Sequence, residues 1–314
     1  MKIKMRFITF ITTCALLLLQ TAHAGALKTD YPLDKITDNV YVIHGPRELP
    51  NPENEGFMNN PGVIITTAGV VVVDPGGSKQ IGTMVLDKIK SVTDKPVVAV
   101  FNTHVHGDHW LGNQAIRDAY PGVKIYGHPR MLERIEAGDG ESWITLMENM
   151  TKGAMAVGPN NAIEDGMSVT IGDSDFSIVH LGKAHTDTDI MIHAVNESVL
   201  FLGDNVGNQR ILRVDQGSFR GNIETIDAAM DLNARYHVPG HGQSGGVEVS
   251  QGYRDYLNRL YNGVKKHYDE GLSDFEIKPL LHPDMRRWED WSGFEDEFGK
   301  HIGLCYLEIE AEDF

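Results

Sequence analysis

Four side chains able to bind a metal fall within one short run, His104-Val105-His106-Gly107-Asp108-His109. His104 and His106 alternate along an extended segment, so both imidazoles point the same way. Asp108 and His109 follow across Gly107, which allows a tight turn. Chance clustering of surface histidines is a poor rival to four ligand types in so short a stretch. Three further residues of the same chemistry close strand-like runs beside glycine. They are His185 in Leu181-Gly182-Lys183-Ala184-His185, Asp204 after Leu200-Phe201-Leu202-Gly203, and His241 in Pro239-Gly240-His241-Gly242. Imidazole and carboxylate donors suit zinc, with iron or manganese admitted as carboxylates accumulate. Two such cations would bring the pKa of a shared water toward about 7 and yield a hydroxide nucleophile. Asp108 is then the catalytic carboxylate, placed to orient that hydroxide or take its proton. No serine or cysteine nucleophile is required, and Cys305 lies outside these motifs.

Ligands so dispersed need rigid elements to bring them together. Gly- and Pro-punctuated apolar runs predict strands over 39–43, 62–65 and 70–73. The continuous run 97–101 predicts a strand buried on both faces, with the His104 motif on the loop at its C-terminal end. Further strands are expected at 123–126, 176–180, 189–193, 199–202 and 237–238. Apolar residues at helical spacing predict helices over 78–92, 111–119, 131–152 and 222–234. The alternation fits an α/β fold, an αββα sandwich of two mixed sheets with helices outside. From about residue 250 the character shifts: Tyr253, Leu257, Leu260, Tyr261, Val264 and Tyr268 mark one face of an amphipathic helix. Gly271 and Ser273 read as its stop and the next N-cap. The domain reading is therefore 1–24, 25–249 and a C-terminal helical extension over 250–314.

Residues 1–24 read as a secretory signal peptide: basic Lys2, Lys4 and Arg6, an apolar run over 7–19, then Ala22-His23-Ala24. That run is shorter than the ~20 residues of a spanning helix, so the expectation is export, to the periplasm, without stable membrane anchoring. Removing the three basic residues takes the formal charge from -16 to -19. A chain this acidic repels phosphate backbones and anionic membranes, which leaves a small-molecule substrate as the partner. Cys305 alone survives maturation, so no intramolecular disulfide forms.

The order His-x-His-x-Asp-His, then His, Asp and His, resembles that of the metallo-β-lactamase fold superfamily across roughly residues 40–242. The resemblance implies that His104, His106 and His185 bind a first metal, that Asp108, His109 and His241 bind a second, and that Asp204 bridges them. The Val73-Asp74-Pro75-Gly76 turn also matches a family signature, which implies that Asp74 orients the metal loop without binding metal. Zinc β-lactamases of this fold carry Cys or Ser where Asp204 stands. The Asp version is similar to glyoxalase II, lactonases and phosphodiesterases. Among exported glyoxalase-II-like members, the extension, with Gly271-Leu272-Ser273 and Cys305-Tyr306-Leu307-Glu308-Ile309-Glu310, resembles quinoprotein relay system or sulfur-oxidation-associated metallohydrolases, and it lacks the basic glutathione-binding pattern of glyoxalase II itself. The implied protein is an exported dinuclear zinc hydrolase acting on an ester, thioester, lactone or amide-type bond. The alternatives are β-lactamase activity and a mononuclear iron persulfide dioxygenase of the same fold. Retention of His109 and His241 speaks for two metals, and the intact ligand set speaks against a non-catalytic binding protein.

The remaining candidates carry a plainer reading. His128, His180, His193 and His237 are expected to pack or cap, and Trp110 to lie behind the metal loop. Thr186, Asp187 and Asp189 read as turn residues or as partners of the ligands. Loops 46–60 and 138–165 are the places for substrate selection, with Met58, Trp143 and Met147 as apolar candidates.

Overall fold

Valine and isoleucine build the first sheet, because β-branched side chains fit a pleated surface that is covered on both sides. The computed structural model describes residues 29–147, 150 and 153–313, so residues 1–24, read above as a signal peptide, lie outside the described residues. The strands β1 (Asp34–Lys35), β2 (Val40–Val42), β3 (Gly62–Ile65), β4 (Val70–Val73), β5 (Val97–Phe101), β6 (Lys124–Gly127) and β7 (Asn161–Ala162) lie side by side in that order. The neighbours from β1 to β4 are antiparallel, and those from β4 to β7 parallel. Parallel neighbours need crossovers. These are supplied by α1 (Lys79–Lys90), then α2 (Gly107–Trp110) and α3 (Asn113–Ala119), then α4 (Pro129–Glu136) and α5 (Asp139–Leu146).

The second sheet holds β8 (Ser168–Ile171), β9 (Ser174–Val179), β10 (Met191–Ala194), β11 (Val199–Phe201) and β12 (Tyr236–Val238), in the spatial order β12-β11-β10-β9-β8. Only β11 and β12 pair in parallel, across helix α6 (Phe219–Asp231). The two sheets meet through Val71, Val73 and Phe101 on one side and Phe176, Ile192 and Phe201 on the other. Outside the first sheet, Ile81, Val85 and Ile89 of α1 pack at helical spacing. Outside the second lie α6 and the extension, whose helices are α7 (Val247–Asp269), α8 (Asp274–Met285) and α9 (Phe294–Glu312). The layers are helix, sheet, sheet, helix, so the αββα sandwich expected from the sequence is what the chain forms.

The extension is bonded to the sandwich through a helix end as well as through its apolar face. The carboxylate of Glu308 in α9 accepts from the backbone N–H groups of Phe219 (2.8 Å) and Arg220 (3.0 Å) and from the Ser218 hydroxyl (2.9 Å). It thereby satisfies donors that the first turn of α6 leaves free, at the positive end of the helix dipole. We expect Glu308→Ala to cost roughly 1–2 kcal/mol and to lower the melting temperature by a few degrees. Circular dichroism would read the shift, and an unchanged midpoint would contradict the cap.

One expected helix is replaced by a pair, and another has an extra turn before it. The helix expected over 131–152 is α4 and α5, broken at Gly138 with φ +111°, and residues 148, 149, 151 and 152 lie outside the described set. The helix expected over 111–119 is preceded by the single turn α2, so Asp108 and His109 sit on helix, not loop. Strand β8 went unforeseen, because its half-exposed Ser168-Val169-Thr170-Ile171 offers no continuous apolar run.

Candidate metal centre

All seven expected ligands arrive at one edge of the sandwich from strand ends. The end of β5 delivers His104 and His106, and α2 delivers Asp108 and His109. The loop between β9 and β10 brings His185, a one-turn 3-10 helix after β11 (Gly203–Asn205) brings Asp204, and the turn after β12 brings His241. His106 is half-buried and the other six are buried. Gly240 is required for this convergence, because a Cβ there would collide with Asp204 Oδ1. Gly107 is required for a different reason from the tight turn expected of it. Its φ is not positive, and a Cβ would come within 2.8 Å of the Trp143 side chain.

The donor atoms form two groups: His104, His106, His185 and Asp204, then Asp108, His109 and His241. In the first, His106 Nδ1 and His185 Nε2 face each other at 3.0 Å. Asp204 Oδ2 lies 3.5 Å from His185 Nε2 and 3.9 Å from His104 Nε2. In the second, His109 Nε2 and His241 Nε2 are 3.3 Å apart, and each is 3.4 Å from Asp108 Oδ2. Asp204 Oδ1 faces this second group, 3.1 Å from His109 Nε2 and 3.2 Å from His241 Nε2. One carboxylate thus turns an oxygen to each group. A tetrahedron with bonds of ~2.0–2.1 Å has edges of about 3.3–3.4 Å, close to these separations. His104 Nε2, though buried, has no hydrogen-bond partner among the described residues. The donor set therefore fits two divalent cations.

The surrounding shell fixes which nitrogen each imidazole presents. His109 Nδ1 faces Asp74 Oδ2 at 2.8 Å, and His241 Nδ1 faces the Met58 carbonyl at 2.8 Å. Both partners only accept, so each Nδ1 carries the proton and each Nε2 keeps a lone pair. Thr103 does the same for His104: its hydroxyl donates to Asp74 Oδ2 (2.6 Å) and lies 2.9 Å from His104 Nδ1. Asp74 also accepts from the Thr103 N–H at 2.8 Å and is buried. Removing this hub by Asp74→Asn is expected to weaken metal binding by roughly 10–100-fold. Competition with a chromogenic chelator measures it, and an unchanged affinity would remove Asp74 from the centre.

Burial holds the imidazole of His104 well below its ordinary range, and burial brings that of His185 down to about 3, so both are neutral donors at physiological pH. His109 and His241 move the other way. Burial opposes their protonation, but the carboxylates of Asp204 and Asp108 together, joined at His109 by Asp74, outweigh it. That carboxylate charge is what a divalent cation would neutralise in place of a proton. Burial alone would raise the carboxyls of Asp108 and Asp204, and the imidazoles of His109 and His241 hold both below the usual carboxylate range.

Other residues singled out in the sequence stand apart from the donor groups. His128 stacks on His180 (ring centroids 4.1 Å) and caps α4 by accepting from the Arg130 N–H. His237 is buried against the Ser250 hydroxyl at 2.7 Å. Trp110 lies buried behind the loop and donates to the Val105 carbonyl. Asp189 accepts from the N–H and hydroxyl of Thr186, which shapes the His185 loop, and burial pushes its carboxyl up to about 7. Asp187 instead pairs with Arg134 at 2.7 Å.

A cleft of about 560 Å³ opens onto Asp108, Asp204 and His241. Met58, Trp143 and Met147 line it, Trp143 with its ring 5.0 Å from that of His106. The extension reaches the same cleft through Ser292, Gly293 and Glu297. Reasoning from sequence missed Thr103, beside the ligands, and Arg210, in the cleft wall.

The chain is 29% identical to a hydroxyacylglutathione hydrolase of Gloeobacter violaceus over 53% of its own length and 56% of that protein's, so it spans little more than half of that relative. Its fold is similar to that of a metallo-beta-lactamase from Pontibacter korlensis, with TM-score 0.60 and 17% identity over 73% of this chain and 99% of that one. It is similar also to a sec-alkylsulfatase from Pseudomonas sp., with TM-score 0.70 and 18% identity over 88% of this chain and 50% of that one. The sequence model of the Metallo-beta-lactamase superfamily matches residues 54–241, from the loop before β3 to the last of the seven ligands. Fold and sequence agree that this chain belongs to the metallo-beta-lactamase superfamily.

Proposed function

We propose that the chain is an exported dinuclear zinc hydrolase that cleaves an ester, thioester, lactone or amide-type bond of a small molecule. The observation that carries this reading is Asp204, whose two oxygens each face a separate trio of donors. Bound there, a pair of zinc ions would supply Lewis acidity and a water activated at neutral pH. The chain's own groups do the rest. Asp108 lines the cleft as an ionised carboxylate, where it orients the attacking water and takes its proton. Trp143, Met58 and Met147 give the substrate body an apolar wall. The cleft volume suits a small molecule, and the acidic surface disfavours polyanions. Relatives named as hydrolases of hydroxyacylglutathione, as alkylsulfatases and as β-lactamases support hydrolysis as the reaction and leave the bond to be found. Export rests on the pattern of residues 1–24.

A zinc-loaded sample is to be assayed on thioesters, lactones, β-lactams, phosphodiesters and sulfate esters, before and after chelation. Metal-dependent turnover of an acyl ester, thioester, lactone or amide supports the reading. Absence of any hydrolysis, together with oxygen consumption on a persulfide, would overturn it.

A further inference from the structure

Arg210 lies in the wall of the cleft and is only 6% exposed. Buried arginines are ordinarily matched by a carboxylate, since an unpaired charge away from water is costly. No carboxylate pairs with Arg210 among the described residues. Its guanidinium carries five N–H donors and gives one, from Nη1, to the Arg47 carbonyl at 3.2 Å. Of the acids nearest by place in the cleft, Asp215 accepts from Arg213 Nε at 2.9 Å and Asp296 is exposed at the rim. Glu297 meets Lys300 through Oε1 at 2.7 Å, and its buried Oε2 has no hydrogen-bond partner among the described residues, Arg210 included. The two carboxylates whose field Arg210 feels are Asp108 and Asp204. Those are the charges that a pair of divalent cations would neutralise. Two divalent cations held by the donor groups would leave those groups and Arg210 together with net positive charge, in a chain whose formal charge is -16, a local field that draws anions.

The extension holds this arginine in place. Ser292 runs beside Arg210 as an isolated parallel bridge. The Ile211 N–H donates to the Ser292 carbonyl (2.8 Å), and the Ser292 N–H to the Gln209 carbonyl (3.0 Å). The Ser292 hydroxyl donates to the Arg47 carbonyl that also receives Arg210. This is a built support for one side chain, made by a segment outside the residues that carry the metal ligands.

We infer that Arg210, positioned by Ser292 of the C-terminal extension, anchors an anionic group of the substrate. The cleft then takes a small amphiphile: an apolar body against Trp143 and Met58, with a carboxylate or sulfonate-like group on the guanidinium. A planar fork suits such groups, because two parallel N–H donors meet two oxygens. The inference deepens the proposed hydrolase and rests on that reading for the word substrate.

The test compares mono-para-nitrophenyl glutarate, an anionic ester, with neutral para-nitrophenyl pentanoate on the zinc-loaded full chain. Pentanesulfonate binding, followed by calorimetry, serves as a readout without turnover. The wild type is expected to show a KM for the anionic ester at least about tenfold lower than for the neutral one at low salt. Arg210→Gln is expected to raise the anionic KM and the sulfonate Kd by roughly 10–100-fold, with the neutral KM changing less than about threefold. Arg210→Lys keeps the charge without the fork and should fall between. If neither ester is cleaved but sulfonate binding still depends on Arg210, the anchor stands, and the hydrolase reading is decided separately by the wider substrate panel. Equal losses on both esters, or a wild type that shows neither charge preference nor sulfonate binding, would overturn the anchor and leave the hydrolase reading untouched.

Discussion

Asp108→Ala is expected to abolish hydrolysis, lowering kcat by two to four orders of magnitude, roughly the worth of a positioned general base. The side chain is nearly buried, yet it lines the cleft, with Oδ2 3.4 Å from both His109 Nε2 and His241 Nε2. The proposed mechanism gives it two roles, a donor in the second group and a carboxylate that would orient the attacking water. Its loss leaves those two imidazoles facing Asp204 alone. The fold should survive, since Asp108 sits in the single-turn helix α2 and makes no bridge between layers. Steady-state assays at saturating zinc, with a melting curve on the same sample, separate the outcomes. A folded variant that kept wild-type turnover on any substrate would sink the mechanism.

Asp204→Cys is the second large effect. A carboxylate spans the two groups because its oxygens diverge, Oδ2 toward His104 and His185 and Oδ1 toward His109 and His241. A thiolate offers one sulfur, with a longer bond to zinc of ~2.3 Å. It can serve one group well and the other poorly. Outer partners of a metal are worth roughly 10–100-fold in affinity, so a lost direct ligand should weaken one of the two sites by more than about 100-fold. Equilibrium dialysis against zinc reads both sites. Two sites of unchanged affinity would show that Asp204 does not bridge.

The candidate metal centre was legible in the sequence because its chemistry is local. His104, His106, Asp108 and His109 fall within one short run, and His185, Asp204 and His241 each close a strand beside glycine. The structure gathers all seven at one edge. The sandwich was legible too, since buried strands such as Val97–Phe101 announce themselves as apolar runs. What stayed hidden depends on contacts made at a distance along the chain. Thr103 matters because Asp74 reaches it, and Arg210 because Ser292 pairs beside it. Neither has a local pattern. Gly107 was noticed for the wrong reason: its missing Cβ makes room for Trp143, whose place is set by the separate helix α5. The break at Gly138 was hidden because a glycine inside a helical pattern is as often tolerated as not.

Metal quantification on protein purified without added metal or chelator addresses the dinuclear centre most directly. The arrangement of Asp204 between two donor groups predicts two zinc equivalents per chain, lost together with hydrolytic activity on chelation and restored together on zinc addition. One iron per chain, with oxygen consumed on a persulfide and no hydrolysis, would contradict it.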